Sequence, residues 1–248
     1  IEDSADTIGY KINNKNTGKY SDVVTNSFYA SHIINGGGTG GIVCFNDYKL
    51  YEKAKLLRGW GRSSATFNES ESIKKRFKVK ISGIDYDAKY IFSEMGYNFL
   101  PSEISAAFAL EQLKKLKKNI SQREKNFKFL YNYFLNHTDI FDLPKQEKGL
   151  RTGWLAFPLL LKNKNKFRRK KLQIYLEKKG IQTRTIFTGN ILRQPIMKSK
   201  KFKKYKGIFK NSDNVMRNGI LIGCHHGLTK KELNYMTQKF KEFIKRFN

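Results

Sequence analysis

Between residues 27 and 41 the chain reads Ser27-Phe28-Tyr29-Ala30-Ser31-His32-Ile33-Ile34-Asn35, then Gly36-Gly37-Gly38-Thr39-Gly40-Gly41. A hydroxyl at the end of an apolar run, an imidazole five residues later and a glycine-rich turn suit proton transfer beside a closely approached ligand. Gly36, Gly38 and Gly41 satisfy Gly-x-Gly-x-x-Gly, but the run leads into the strand-like Ile42-Val43-Cys44-Phe45 and no Gly-Lys-Ser/Thr follows. A dinucleotide or P-loop site is therefore not expected. On spacing alone, a hydrogen-bonded loop histidine beside a flexible turn is the favoured reading. Cys224-His225-His226 adds a thiol and two imidazoles. Adjacent side chains on a strand point to opposite faces and no carboxylate accompanies them, so no metal site is expected there.

The elements that must position these groups alternate. Val23 to Phe28 and Gly41 to Phe45 are short β-branched and aromatic runs that read as buried strands. Asp47 caps a helix running to about Arg58. From Ser102 a long helix begins, with Glu103 in its first turn and Ile104, Ala107, Phe108, Leu113, Leu116 and Ile120 on an apolar face. It runs toward Asn136, with Asn119 as the place where it could break. After the turn at Pro144 to Gly149 come a strand at Trp154 to Leu161, a helix at about Phe167 to Lys179 ended by Gly180, and a strand at Ile181 to Phe187. A helix at Ser212 to Arg217, a strand at Ile220 to Cys224 and a helix from Thr229 follow. The pattern predicts an α/β segment over residues 1–140 and a smaller α+β domain over 141–248.

Bulk properties narrow the classes. With 39% hydrophobic and 14% aromatic residues in 248, the chain is too apolar for disorder, and its longest apolar stretch, Trp154 to Leu161, falls far short of the roughly 20 residues of a membrane helix. Ile1-Glu2-Asp3 is no signal peptide, so a cytoplasmic location is expected. Lys and Arg number 49 against 21 Asp and Glu, a formal charge of +28, which keeps a basic nucleic-acid-binding module in view. Only 11 of the 49 are Arg, however, and the lysines are spread from Lys11 to Lys245, as on solvated faces; neither nucleic acid nor membrane is expected as a partner. Cys44 and Cys224 are the only cysteines, too few for a disulfide framework, a four-thiolate zinc site or an iron–sulfur cluster.

Taken in order, Ile1-Glu2-Asp3-Ser4-Ala5-Asp6-Thr7-Ile8-Gly9, Ser27 to Gly41, Trp60-Gly61-Arg62, Gly96-Tyr97-Asn98, Ala106-Ala107, Gln112-Leu113, Thr183-Arg184 and Arg193-Gln194-Pro195 resemble one family. It is the vitamin-B6-dependent sugar aminotransferase and dehydratase family called DegT/DnrJ/EryC1/StrS. The Trp-Gly-Arg and Arg-Gln-Pro blocks are most similar to its CDP-4-keto-6-deoxyglucose 3-dehydrase branch. The resemblance implies the C-terminal part of a fold-type-I pyridoxal-phosphate transferase: an incomplete large α/β domain with a small α+β domain. It implies pyridoxal or pyridoxamine 5'-phosphate as cofactor and a homodimer with shared active sites. Most of the large domain would precede this chain, so the piece alone is expected to bind cofactor poorly or to be inactive.

Residue by residue, the resemblance puts Asp3 on the cofactor's pyridine nitrogen, Asp6 near its ring hydroxyl and Ser27 on its phosphate. Asn98 would reach the cofactor phosphate of the neighbouring subunit, and Arg184 and Arg193 the sugar nucleotide. His32 stands where the aminotransferases carry the Schiff-base lysine, as in the family's 3-dehydratases. Histidine can act as a base but cannot form that link. The implied reaction is 3-dehydration of a nucleotide-linked 4-keto-6-deoxy sugar in deoxysugar and lipopolysaccharide O-antigen synthesis, with glutamate as amino donor. Sugar aminotransferase is the alternative. Where the cluster-bearing dehydrase has cysteines, this chain has Ser4-Ala5 and Ser63-Ser64-Ala65-Thr66, so no iron–sulfur cluster is expected.

Overall fold

The structure is a computed structural model that describes residues 1–69, 71–162, 166–199 and 207–247. Two compact units emerge, Ile1–Ile8 with Lys15–Lys115 and Gly9–Asn14 with Leu116–Asn248. The boundary expected near residue 140 lies beyond the helix Glu103–Phe134, whereas the units divide inside that helix. Ile120, Leu130 and Phe134 are buried, and the last two belong to the apolar core of the second unit.

In the first unit, Glu2–Asp3 runs parallel to Val23–Ser27, with Asp3 opposite Thr25. Gly41–Phe45 pairs antiparallel on the other side, with Ser27 opposite Gly41. Val24 is buried, but Gly41–Phe45 is not the buried strand its composition suggests. Among the described residues it is an edge strand, hydrogen-bonded on one side, and Ile42 and Val43 are 45% and 50% exposed. The helix Tyr48–Arg58 starts where expected, the Asp47 carboxylate accepting the Leu50 amide at 2.8 Å. Past its end the chain folds back: Tyr97 N donates to Leu57 O at 2.7 Å and Phe99 N to Arg58 O at 3.0 Å. A hairpin, Val79–Ile81 with Ile84–Tyr86, has no counterpart in the sequence reading. Its turn residues Ser82 and Gly83 lie at φ of 50° and 84°, the left-handed pair that matches strand twist.

The helix Glu103–Phe134 passes through Asn119 without a break. Asn119, Ile120, Arg123, Asn126, Leu130 and Phe134 are all buried at helical spacing, so the amide sits on the inward face and the periodicity continues beneath it. The earlier part of the expected apolar face is open, Ile104 being 83% and Leu113 46% exposed.

The second unit is built on an antiparallel sheet in the order Thr183–Arg184, Gly219–Gly223, Ala156–Leu161, Phe141–Asp142. Alternate residues Phe157, Leu159 and Leu161 are buried beneath the helices Arg169–Lys178 and Lys230–Phe247, with Leu172, Leu176, Phe240 and Phe243 completing the core. Gly180, at φ 73°, ends the first of these helices as expected, with Ile181 N donating to Leu176 O at 3.0 Å. The second begins with a reciprocal cap, Thr229 N to Glu232 Oε2 at 2.7 Å and Glu232 N to Thr229 Oγ1 at 3.3 Å. The strand expected over Ile181 to Phe187 shortens to Thr183–Arg184, the chain turning away by Phe187 at φ 44°. Among the described residues no helix is long and apolar enough to cross a membrane.

Candidate active site

Parallel pairing sets the geometry. Because Glu2–Asp3 and Val23–Ser27 are parallel neighbours, their carboxyl ends lie at one edge of the sheet, where open α/β sheets bind ligands. Asp3 and the turn carrying Asp6 follow the first strand; Ser27 closes the second and His32 follows it. The register is held beyond the strands by Ser4 N donating to Thr25 O at 2.9 Å and Ser27 N to Ala5 O at 3.4 Å.

Local bonds shape each turn. Asp3 Oδ1 accepts the Ala5 amide at 3.2 Å, and Thr7 N donates to Ser4 O at 3.0 Å, closing the turn that presents Asp6. Glu2 fastens the neighbouring loop, accepting from Ser4 Oγ, from Gly18 N at 2.9 Å and from Ser21 Oγ at 3.1 Å; the Ser4 bond first, then those of Gly18 and Ser21, hold its carboxyl below the usual range. Ser27 Oγ accepts the Tyr29 amide at 3.2 Å and keeps its own proton to donate. His32 N donates to Tyr29 O at 3.0 Å, and the two residues that follow, Ile33 and Ile34, are each 2% exposed. They anchor the loop at the histidine. The Tyr29 ring meets the His32 ring edge-on at 6.1 Å.

Nδ1 of His32 abuts Oδ1 of Asp6. Both atoms are wholly buried, and apart from this close contact neither has a hydrogen-bond partner among the described residues. Beyond the histidine, Phe28 N donates to Gly40 O and Gly36 N to Phe28 O, both at 2.9 Å, folding the glycine run back on the strand end. Gly37 and Gly38 have positive φ, and a Cβ at either would meet nothing within 4 Å, so their backbone is open to a ligand. A groove of about 770 Å³ in this unit is lined by Val43, Tyr51, Leu57, Tyr97 and Phe99 and by none of Asp3, Asp6, Ser27 or His32. Residue chemistry, not cavity size, marks the candidate site.

Asn98 is not drawn into this cluster. It is exposed, its backbone bridged to Gly59, between the stacked rings of Tyr97 and Phe99, 5.1 Å apart. Its side chain makes no hydrogen bond among the described residues. Arg184 and Arg193 lie in the second unit. Arg184 donates to its neighbour's carbonyl, Thr183 O, at 2.8 Å and is exposed. Arg193 instead forks onto Asp213, which also accepts from Asn190 Nδ2 at 2.8 Å. The Arg193 guanidinium, then Asn190, hold the Asp213 carboxyl well below the usual carboxylate range.

Cys224 is buried, its thiol pushed up to about 12 by burial, with Sγ directed at Arg123 O at 3.7 Å. Burial first, then the Arg123 charge, lowers the basicity of His225 and His226. Among the described residues no group of three or more His, Cys, Asp or Glu could hold a metal ion. Arg123 went unread in the sequence: it is 3% exposed and donates to Trp154 O at 3.3 Å and Leu155 O at 3.1 Å, holding the turn where Trp154 sits at φ 41°.

The DegT/DnrJ/EryC1/StrS aminotransferase family matches residues 1–241, and the chain belongs to that family. Lipopolysaccharide biosynthesis protein RfbH of Salmonella typhimurium is 32% identical over 247 residues, covering 98% of this chain and 56% of the relative. The Escherichia coli GDP-4-keto-6-deoxy-D-mannose-3-dehydratase structure with bound hydrated PLP matches with a TM-score of 0.78 at 29% identity, over 96% of this chain and 59% of that one. A GDP-4-keto-6-deoxymannose-3-dehydratase structure with a trapped PLP-glutamate geminal diamine matches with a TM-score of 0.76 at 28% identity, over 93% and 57%. The fold is thus the α/β fold of the PLP-dependent sugar aminotransferases and dehydratases. The chain spans about half the length of the curated relatives it matches.

Proposed function

We propose that this chain carries the catalytic base of a pyridoxamine-phosphate-dependent 3-dehydratase acting on a nucleotide-linked 4-keto-6-deoxy sugar. One observation carries the reading: His32 occupies the turn after Val23–Ser27, and residues 28–41 contain no lysine. A primary amine is what covalent capture of the cofactor requires, and an imidazole replaces it with a proton acceptor. The relatives whose structures contain hydrated PLP and a PLP-glutamate adduct support the cofactor and glutamate as its amino donor.

The residues present fit such a cofactor by donor chemistry: a carboxylate at one strand end, a hydroxyl at the next and open glycine backbone between. Bound there, the cofactor supplies an electron sink for the carbon adjoining its amine. Asp3 would hold a proton on the ring nitrogen, and Ser27 would donate to the phosphate. His32 would take a proton from the cofactor's methylene carbon, after which the C3 hydroxyl of the sugar departs. Asn98 is assigned to the phosphate of a second subunit, in keeping with its exposed, unbonded side chain. Of the two arginines assigned to the nucleotide diphosphate, Arg184 is the more available, since Asp213 already engages Arg193. With two cysteines in the chain, the product is proposed to leave by hydrolysis, as a 3-deoxy-4-keto sugar and ammonia, rather than by cluster-mediated reduction.

His32→Lys tests the assignment in the enzyme supplied with PLP. A Schiff-base absorbance should appear and dehydration should fall by at least about 100-fold, the low end of what a general base contributes. Unchanged dehydration in the lysine variant would remove His32 from the reaction.

A further inference from the structure

We propose that Asp6 is a positioning residue for His32, fixing the imidazole tautomer so that Nε2 carries the lone pair that accepts the proton from the cofactor's methylene carbon. This deepens the reading of His32 as base and rests on it. The contact between Asp6 Oδ1 and His32 Nδ1 is buried at both atoms, and neither has an alternative partner. An ionised carboxylate only accepts hydrogen bonds, and a neutral imidazole has one donor nitrogen and one acceptor nitrogen. If Nδ1 carried the lone pair, two acceptors would face each other without water, leaving both buried and unsatisfied. The favoured neutral ring therefore has its proton on Nδ1 and its lone pair on Nε2.

The rest of the surroundings agrees. The His32 side chain is 17% exposed while Nδ1 is wholly buried, and Nε2 is not among the buried unpartnered atoms, so the ring's open edge is the one away from Asp6. Tyr29 meets the ring edge-on, and Ile33 and Ile34 anchor the backbone behind it. When Nε2 gains a proton, the adjacent carboxylate stabilises the cation that forms, the arrangement of a base and its orienting acid in hydrolytic triads. Asp6 remains 32% exposed, so its second oxygen is still available to a bound ligand.

The test is the ring-nitrogen NMR spectrum of the 248-residue chain labelled with ¹⁵N-imidazole histidine. His32 is one of four histidines and is assigned by the signal lost in His32→Asn. In its neutral form, wild-type His32 should show a protonated Nδ1 and a bare Nε2. In Asp6→Asn, whose amide can donate to Nδ1, the pattern should become mixed or inverted. Turnover in the complete enzyme should fall at least about ten-fold with KM within a few-fold, because general-base catalysis depends on the lone pair facing the substrate. A wild-type ring protonated on Nε2 would overturn the proposal without any variant, as would an Asp6→Asn ring unchanged in tautomer. The predicted tautomers without dehydration would sink the functional reading and leave the pair standing; dehydration with a tautomer indifferent to Asp6 would do the reverse.

Discussion

Cys224 and Cys44 are one side chain type in two environments. Burial alone lifts the Cys224 thiol to about 12, while Cys44 is exposed on an edge strand. Since the thiolate is the nucleophile, a disulfide reagent at pH 8 should label one thiol per native chain and two after denaturation. Two fast thiols in the native protein would mean that the second core is open. The Arg193–Asp213 fork makes a prediction with a definite sign. Asp213 is depressed in the folded state, so its stabilisation is present above the unfolded value of about 3.9 and is lost as pH falls through the lower folded value. Arg193→Ala should melt no more than a few degrees below wild type at pH 7, with the gap closing toward pH 2. A gap that widens in acid would contradict the pairing. At this scale the sequence made His32 legible as a candidate by residue type and by family position. The partner was not: Asp6 stands 26 positions earlier, and only the parallel register of Asp3 with Thr25 brings the two turns together.

At the scale of elements, the Trp60-Gly61-Arg62 block is a clamp. Gly61 lies at φ 73°, where a Cβ would come within 1.9 Å of Glu94 O, and Gly61 O accepts the Ser93 amide at 2.9 Å. Trp60 N donates to Tyr97 O at 2.9 Å beside the Gly59–Asn98 bridge, so the block fixes the segment that presents Asn98. Gly61→Ala should therefore destabilise the first unit by at least about 1–3 kcal/mol, measured by chemical denaturation, because both the backbone conformation and the space are denied to a side chain. A variant as stable as wild type would show that the clamp is loose. Caps were readable because their chemistry is local: Asp47 and Gly180 act within a few residues. The hairpin at Val79–Tyr86 and the unbroken helix at Asn119 were not, since a Ser-Gly turn signal is weak and an amide's burial depends on what packs around it. Gly41–Phe45 was recognisable as a strand but not as an exposed edge, because composition reports strand propensity and not pairing.

At the scale of the molecule, charge and chemistry point in different directions. A formal charge of +28 will attract phosphate backbones, and random duplex DNA should bind weakly at physiological salt, with affinity falling steeply as salt rises. Tight, sequence-selective binding would favour the binding-module class over an enzyme. The enzymatic reading stands on the arrangement at the strand ends, and its central claim is that the histidine turns an aminotransferase fold toward elimination. The direct measurement supplies the complete enzyme with pyridoxamine phosphate, glutamate and a 4-keto-6-deoxy sugar nucleotide, then follows ammonia release and product mass. Dehydration predicts ammonia formed with each turnover and a 3-deoxy-4-keto product lighter by one oxygen atom. Accumulation of a 4-amino sugar with its C3 hydroxyl intact, and no ammonia, would contradict it.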